Sequence, residues 1–391
     1  MKLADAFSLI RNGASIKQYD NATGIPITRI ETISNRVVDR NKCGYADIFD
    51  VGKYQDYVLQ DGDILMSHIN SVQHLGKTAL YNKIDGEVLI HGMNLLVLRP
   101  KKKILEPKYA YIALNSLKFL RQLPRITKKS VNQASFSVND LKQTDIDVPS
   151  ISKQKEIAHT VMQIDRMIAN RQRALSVADE LVKSRFVEMF GDPVTNPMGW
   201  TEHRLEEYIE FLTSGSRGWS KYFSDDGEIF ITIKNVKNNR ITLDNVQHVI
   251  PPNNVEAQRT KVREGDLLIS ITADLGRTGV VSREIEKRGA YINQHLTCIR
   301  LKQEQINPSY VSYFMESDAG KRQFDAKNQS AVKAGLNFDA IKSLRLLVPP
   351  IVLQNEYVSF VKQVDKSKIV IQKNIDMLQI LKNKLMQDCF R

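Results

Sequence analysis

A chain of 391 residues with 42% apolar and 26% charged residues is too long for one ordinary domain, and its composition is that of a soluble protein of two or three domains. No run of about 18 apolar residues occurs, which argues against a membrane span, and the opening MKLADAFSLIRNG turns polar too soon for a secretory leader. The formal net charge of +12 favours a polyanionic partner, although a merely solvated basic surface would look the same, and the scattered Cys43, Cys298 and Cys389 argue for a reducing cytoplasm without disulfides or a cysteine zinc site.

Residues 1–150 read as a first globular unit. A short helix is expected from Lys2 to Arg11, then a loop at Gly13. Ile25 to Ile33 alternates like a strand, and Asp61-Gly62-Asp63 is a turn feeding the apolar run Ile64-Leu65-Met66. Val88 to Ile90 and Leu95 to Leu98 are further strands. Tyr109 to Arg121 reads as a helix, and Pro124 to Ser137, polar and basic, as a loop.

Residues 151–190 then read as one long helix. Pro149 precedes it, Ser152 is a candidate cap, and Gly191-Asp192-Pro193 stops it. Ile157, Val161, Ile164, Ile168, Leu175, Ala178, Val182 and Met189 follow alternating steps of four and three, with Arg171 and Arg185 filling two seam positions. That narrow seam suits a second helix; the plainer reading is an amphipathic helix on its own core. Residues 191–200, GDPVTNPMGW, form a linker.

The pattern then repeats. Residues 201–350 form a second globular unit and 351–391 a second long helix, whose seam is Tyr357, Val361, Val364, Ile371, Ile375, Leu378 and Leu385, with Lys368 and Lys382 interrupting it. Val148-Pro149 corresponds to Val348-Pro349, Gln154 to Gln354 and Asp165 to Asp365. Asp61-Gly62-Asp63-Ile64-Leu65-Met66-Ser67 corresponds to Glu264-Gly265-Asp266-Leu267-Leu268-Ile269-Ser270, and Leu75-Gly76-Lys77-Thr78 to Leu275-Gly276-Arg277-Thr278. A nearly constant offset along the whole chain is an internal duplication. The frameworks agree and the loops do not: 34–60 and 237–263, or 68–74 and 271–274, share little. Divergent loops on a shared frame suggest two similar sites with different targets; drift after duplication would also produce them.

Catalytic tools are missing. Ser71 to Thr78 ends in Gly-Lys-Thr but lacks the first glycine of a phosphate-binding loop, and no GxGxxG follows a strand. No Asn/Asp-Pro-Pro-aromatic motif for a flipped base is present. His68, His74 and His91 have no partner at metal-ligand spacing. Asp61 and Asp63 recur as Glu264 and Asp266 around a glycine, which fits a turn better than an acid–base pair.

The order globular unit, helix, globular unit, helix resembles the DNA-specificity subunit of type I restriction-modification systems. Local signatures agree: GDIL before Ser67, GDLL before Ser270, Val-Pro before a Gln-x-Glu helix start, and Phe190-Gly191-Asp192-Pro193 at the end of the first helix. The resemblance covers the full chain; Gln354-Asn355-Glu356 departs from the adjacent Glu-Gln usual in the family. It implies two α/β (α+β) target-recognition domains separated by two long helices pairing as an antiparallel coiled coil with pseudo-two-fold symmetry. It further implies a bipartite, non-palindromic double-stranded DNA site, two modification (methyltransferase) subunits and restriction/translocase subunits as partners, and no catalysis here. S-adenosylmethionine, ATP and Mg would serve those partners, with no cofactor in this chain. Alternatives are a single-chain DNA methyltransferase or restriction enzyme, and a coiled-coil adaptor without a DNA role.

Phosphate contacts need Lys, Arg and hydroxyls, and base readout needs side chains that reach a groove. The DNA-binding expectations are Ser67, His68, Asn70, Arg125, Lys128 and Lys129 in the first domain. In the second they are Arg217, Lys221, Lys234, Asn235, Thr272, Arg277, Lys327 and Lys333.

Overall fold

The computed structural model describes residues 1–130, 133–329 and 335–390. They pack as two compact units, residues 1–173 with 372–391 and residues 174–371. Packing therefore divides the chain within the two long helices, Ile151–Phe190 and Ile351–Cys389, and each unit contains half of each.

The first unit is built on an antiparallel sheet in the order Phe7–Asn12, Leu95–Pro100, Ile64–Ser67, Thr78–Leu80. The second has the same order with Ile209–Ser214, Leu296–Leu301, Leu267–Ser270 and Thr278–Val280. Even the register shift recurs, between Phe7 and Leu9 and between Ile209 and Phe211. The second unit adds a sheet in the order Phe223–Ser224, Gln247–Val249, Glu228–Ile231, Ala290–Ile292, whose last pair is parallel.

Several local expectations change. The helix at the start is only Leu3–Ala6, and Phe7–Asn12 is a strand, because sheet pairing with Leu95–Pro100 overrides its helical periodicity. Residues 25–33 supply only the two-residue strand Pro26–Ile27 and the turn Glu31–Ile33. Ile90 makes isolated bridges to Ile27 and Val58 rather than a strand. Helix Pro107–Leu114 ends at Asn115, and Ser116 caps a new short helix, Leu117–Leu120. The expected loop 124–137 contains helix Leu123–Ile126 and strands Lys128–Lys129 and Ala134–Ser135. Ser152 lies inside the long helix, and the Lys153 amide donates to Ser150 Oγ at 3.4 Å, so Ser150 is the cap. Gly191 stops that helix with φ +78°, where a side chain is unfavourable.

The long helices run antiparallel within each unit. In the first, Lys382 pairs with Asp165 at 2.5 Å and Phe390 stacks on Tyr109 at 5.7 Å. In the second, Lys368 pairs with Asp179, and Tyr357 donates to the Val182 carbonyl at 3.3 Å. Phe186 and Phe190 pack with Tyr310 and Tyr357. Ile157, Val161, Ile164, Val182, Tyr357, Val361 and Ile375 are buried, and Ile168, Leu175, Val364, Ile371, Leu378 and Leu385 half-buried, as a two-helix seam requires. Arg171 is the exception, since it stands exposed; a guanidinium on a long stem reaches solvent from a seam position. Arg185 is half-buried between Glu188 and Glu356.

A glutamine hooks the first turn of each long helix to its unit. Gln154 Oε1 accepts the Glu106 amide at 2.8 Å, and its Nε2 donates to the Pro149 and Ile104 carbonyls at 2.7 and 2.8 Å. Gln354 Oε1 accepts the Asn307 amide at 2.8 Å, and its Nε2 donates to the Pro349 carbonyl at 2.8 Å. Both side chains are fully buried. Gln354→Ala leaves a buried amide and carbonyl without partners and should lower the unfolding free energy by about 2 kcal/mol. A shift in the urea midpoint equivalent to less than a quarter of that would refute the hook.

Candidate nucleic-acid interface

In the first unit, strand 64–67 runs into the short strand Ile69–Asn70. That strand pairs with Ala134–Ser135, which pairs with Lys128–Lys129, so a small three-stranded sheet projects beyond the main one. It brings together Asn70, Lys128 and Lys129, which are far apart in sequence. Lys128 and Lys129 are exposed and Asn70 is half-exposed, with its Oδ1 accepting the Ser71 amide at 2.8 Å. Arg125 is exposed on the adjoining helix 123–126. The fold tethers this group through the Phe136 amide, which donates to the His68 carbonyl at 3.2 Å.

Ser67 and His68 do not reach the surface. Ser67 is buried at the sheet end, and its Oγ lacks a partner among the described residues. His68 is buried against Phe136, with Nδ1 unpartnered among the described residues. Desolvation lowers the pKa of its imidazole to about 4, and burial does the same to His91, whose Nε2 lies 2.8 Å from the Leu95 carbonyl. These two histidines are neutral core residues at pH 7, not surface hydrogen-bond donors.

The second unit repeats the tether, with the Leu336 amide donating to the Ile271 carbonyl at 2.9 Å. Thr272 follows Ile271, and its Oγ1 lies 2.7 Å from His295 Nδ1. Arg277 is half-exposed and paired with Asp274 at 2.6 Å. Lys327, on helix Asp318–Gln329, donates to Ser343 Oγ at 2.6 Å. Lys333 lies outside the described residues.

Arg217, Lys221 and Lys234 are exposed, but they flank the unit's second sheet: Lys221 lies just before strand 223–224, and Lys234 in the turn after strand 228–231. Asn235 is not a surface residue. It is buried, its Oδ1 accepts the Thr232 amide at 3.0 Å, and its Nδ2 donates to the Thr242 carbonyl at 3.2 Å. An amide committed to its own turn cannot read a base.

The turn after strand 69–70 carries Val72, which is 58% exposed, and the exposed Gln73; neither was among the expected residues. The signal for them was the unequal length of this loop in the two repeats. Among the described residues no group of three or more His, Cys, Asp or Glu side chains could hold a metal ion, and no helix is long and apolar enough to cross a membrane.

Duplicated α/β units on paired helices, with exposed cationic side chains beside the end of the main sheet in the first and beside the second sheet in the other, have the form of a double DNA-recognition protein. A family model for the type I restriction modification DNA specificity domain matches residues 1–177 and 197–378, and the chain belongs to that family. It is similar to a protein assigned as the MjaX type I restriction enzyme specificity subunit of Methanocaldococcus jannaschii, 29% identical over 400 residues that span 98% of this chain and 91% of that protein. The EcoKI specificity subunit of Escherichia coli is 27% identical over 191 residues, 48% of this chain and 41% of that one. The crystal structure of the type I S subunit from M. genitalium shares the fold, with a TM-score of 0.64 over 100% of this chain and 95% of that chain at 14% identity. The chain is thus a DNA sequence-recognition subunit of the type I restriction-modification class, a non-catalytic component of such systems.

Proposed function

We propose that this chain recognises a bipartite, non-palindromic site in duplex DNA, with one half-site read by each target-recognition domain, residues 1–150 and 201–350. The helices 151–190 and 351–391 and the linker 191–200 set the spacing and offer surfaces to two separate modification subunits, with restriction subunits completing a cytoplasmic complex. Methyl transfer, ATP use and cleavage belong to those partners, and this chain carries no cofactor of its own. A structure solved to describe assembly of a type I R-M system has the same fold, with a TM-score of 0.57 over 100% of this chain, and supports that reading. The observation that carries the proposal is the identical four-strand order and bulge in the two units beneath different loops. One frame has been kept while the reading surface diverged.

Exchanging residues 1–150 for the corresponding domain of another family member should change one half-site of the methylated sequence and leave the other intact. Methylation mapping in the host genome checks this; a change in both halves or in neither would sink the proposal. Lys128, Lys129 and Arg125 are assigned to phosphates. Lys129→Ala should weaken binding to all duplexes alike and reduce the slope of log affinity against log salt by about 1.

A further inference from the structure

We infer that the Val72–Gln73 tip of the first unit is a base-reading element, and that it recognises an A·T pair through the major groove. The inference rests on the DNA-recognition reading above and names where in the first domain that recognition is made.

The tip is a turn closed at its base by backbone hydrogen bonds. The Ser67 amide donates to the Lys77 carbonyl at 2.9 Å and the Gly76 amide to the Ser67 carbonyl at 2.8 Å, so residues 68–76 form a closed excursion from the main sheet. Gly76 has φ +72°, and a Cβ there would strike Leu123 Cδ1, so the base of the turn is pressed onto the helix that carries Arg125. On its other flank, strand 69–70 connects it through strand 134–135 to Lys128 and Lys129. Three exposed cations thus stand on elements joined to the two flanks of a tip that has no charged side chain from Ile69 to Gln73. Contacts to phosphate fix a protein on duplex DNA without carrying sequence information, while uncharged groups between them meet base edges.

The tip chemistry fits one base pair. Gln73 is exposed; its Nε2 lies 3.4 Å from His74 Nε2, and its Oε1 has no partner among the described residues. The imidazole thus lies beside the amide nitrogen, and the amide oxygen is open. A glutamine amide matches adenine in two places, accepting from N6–H and donating to N7. The neighbouring Val72 side chain is uncovered, and the thymine of the same pair presents a methyl group in the same groove. The second unit has a shorter turn at this place, with Ala273 and Asp274 at the tip and Asp274 held by Arg277, so the two units cannot read the same base with it.

The test is the methylated motif in host cells carrying the full restriction-modification complex with wild-type, Gln73→Ala, Val72→Ala or Lys129→Ala chains. Wild type should mark a motif with an invariant A·T position in one half-site. Gln73→Ala should relax preference at that position about tenfold to a hundredfold, with every other position unchanged. Val72→Ala should relax the same position less, and Lys129→Ala should lower marking at all sites without altering the motif. An unchanged motif in Gln73→Ala, or relaxation in both half-sites, would overturn the inference. So would complete loss of marking, because an exposed side chain outside the core does not hold the fold. If wild type marks no motif at all, the DNA-recognition reading fails instead.

Discussion

Lowering the pH from 6.5 to about 4 should unfold the first unit while the second retains its native tryptophan emission. His68 and His91 are buried in the first unit, and desolvation lowers both pKa values from 6.5 to about 4. His91 also feels the positive charges of Arg11 and Arg99. The unfolded chain therefore takes up two protons that the folded unit resists. Stability is intact above pH 6.5 and falls as the pH drops towards 4, by about 3 kcal/mol for each histidine. A total near 6 kcal/mol rivals the whole stability of many domains. The second unit lacks this weakness, since Ile271 and Ile292 stand where the first has His68 and His91. The Ala14 amide donates to the His91 carbonyl as the Ser216 amide does to that of Ile292. Both tryptophans, Trp200 and Trp219, belong to the second unit, so their fluorescence follows it alone. Circular dichroism should lose amplitude before the fluorescence changes. The double variant His68→Ile/His91→Ile should bring the two transitions together; coincident transitions in the wild type would refute the assignment.

Arg99→Met should cost about 3–5 kcal/mol, the penalty of leaving a buried carboxylate without its cation. Asp63 is 1% exposed, and Arg99 grips it through Nε and Nη2, both at 2.7 Å. The same carboxylate accepts the Gln60 amide at 2.7 Å and so closes the turn that feeds strand 64–67. Asp266 and Arg300 repeat the arrangement at 2.9 and 2.8 Å, with the Arg263 amide on Asp266. Pairing Arg99→Met with Asp63→Leu should recover most of the loss, because two apolar side chains of similar volume leave no stranded charge. Urea denaturation of the single and double variants measures both effects. A double variant no more stable than Arg99→Met would show that the turn, not the ion pair, holds the strand in place.

The long helices and their seam were legible because a periodic apolar pattern forty residues long has few competing explanations. Arg171 shows the limit: spacing assigned it to the seam, and its charge took it to solvent. The Asp-Gly-Asp turn was legible as a turn, but its arginine lay 36 residues away and no local signal linked them. Strands of two residues such as 69–70, 128–129 and 134–135 carry no periodicity, so the small sheet that gathers Asn70, Lys128 and Lys129 could not be read in advance. Ser67, His68 and Asn235 looked like surface polar residues because polarity is a guide to exposure only where no sheet end or turn encloses the side chain.

The lysine ion pairs between the long helices have a direction. Acid stands on the first helix, Asp165 and Asp179, and base on the second, Lys382 and Lys368. The repeat equivalents of those lysines are Val182 and Ile168, so a first helix laid against a copy of itself would set both aspartates against aliphatic side chains. The rim pair Arg185–Glu356, at 3.3 Å, has the opposite polarity and would survive such an exchange, with Glu156 in place of Glu356. Partly exposed pairs of this kind are worth roughly 0.2–1 kcal/mol each. The charges therefore act as a label rather than a lock. A duplicated chain is by construction able to mistake another molecule's half for its own, and this seam gives the first helix a modest but signed way to tell kin from self.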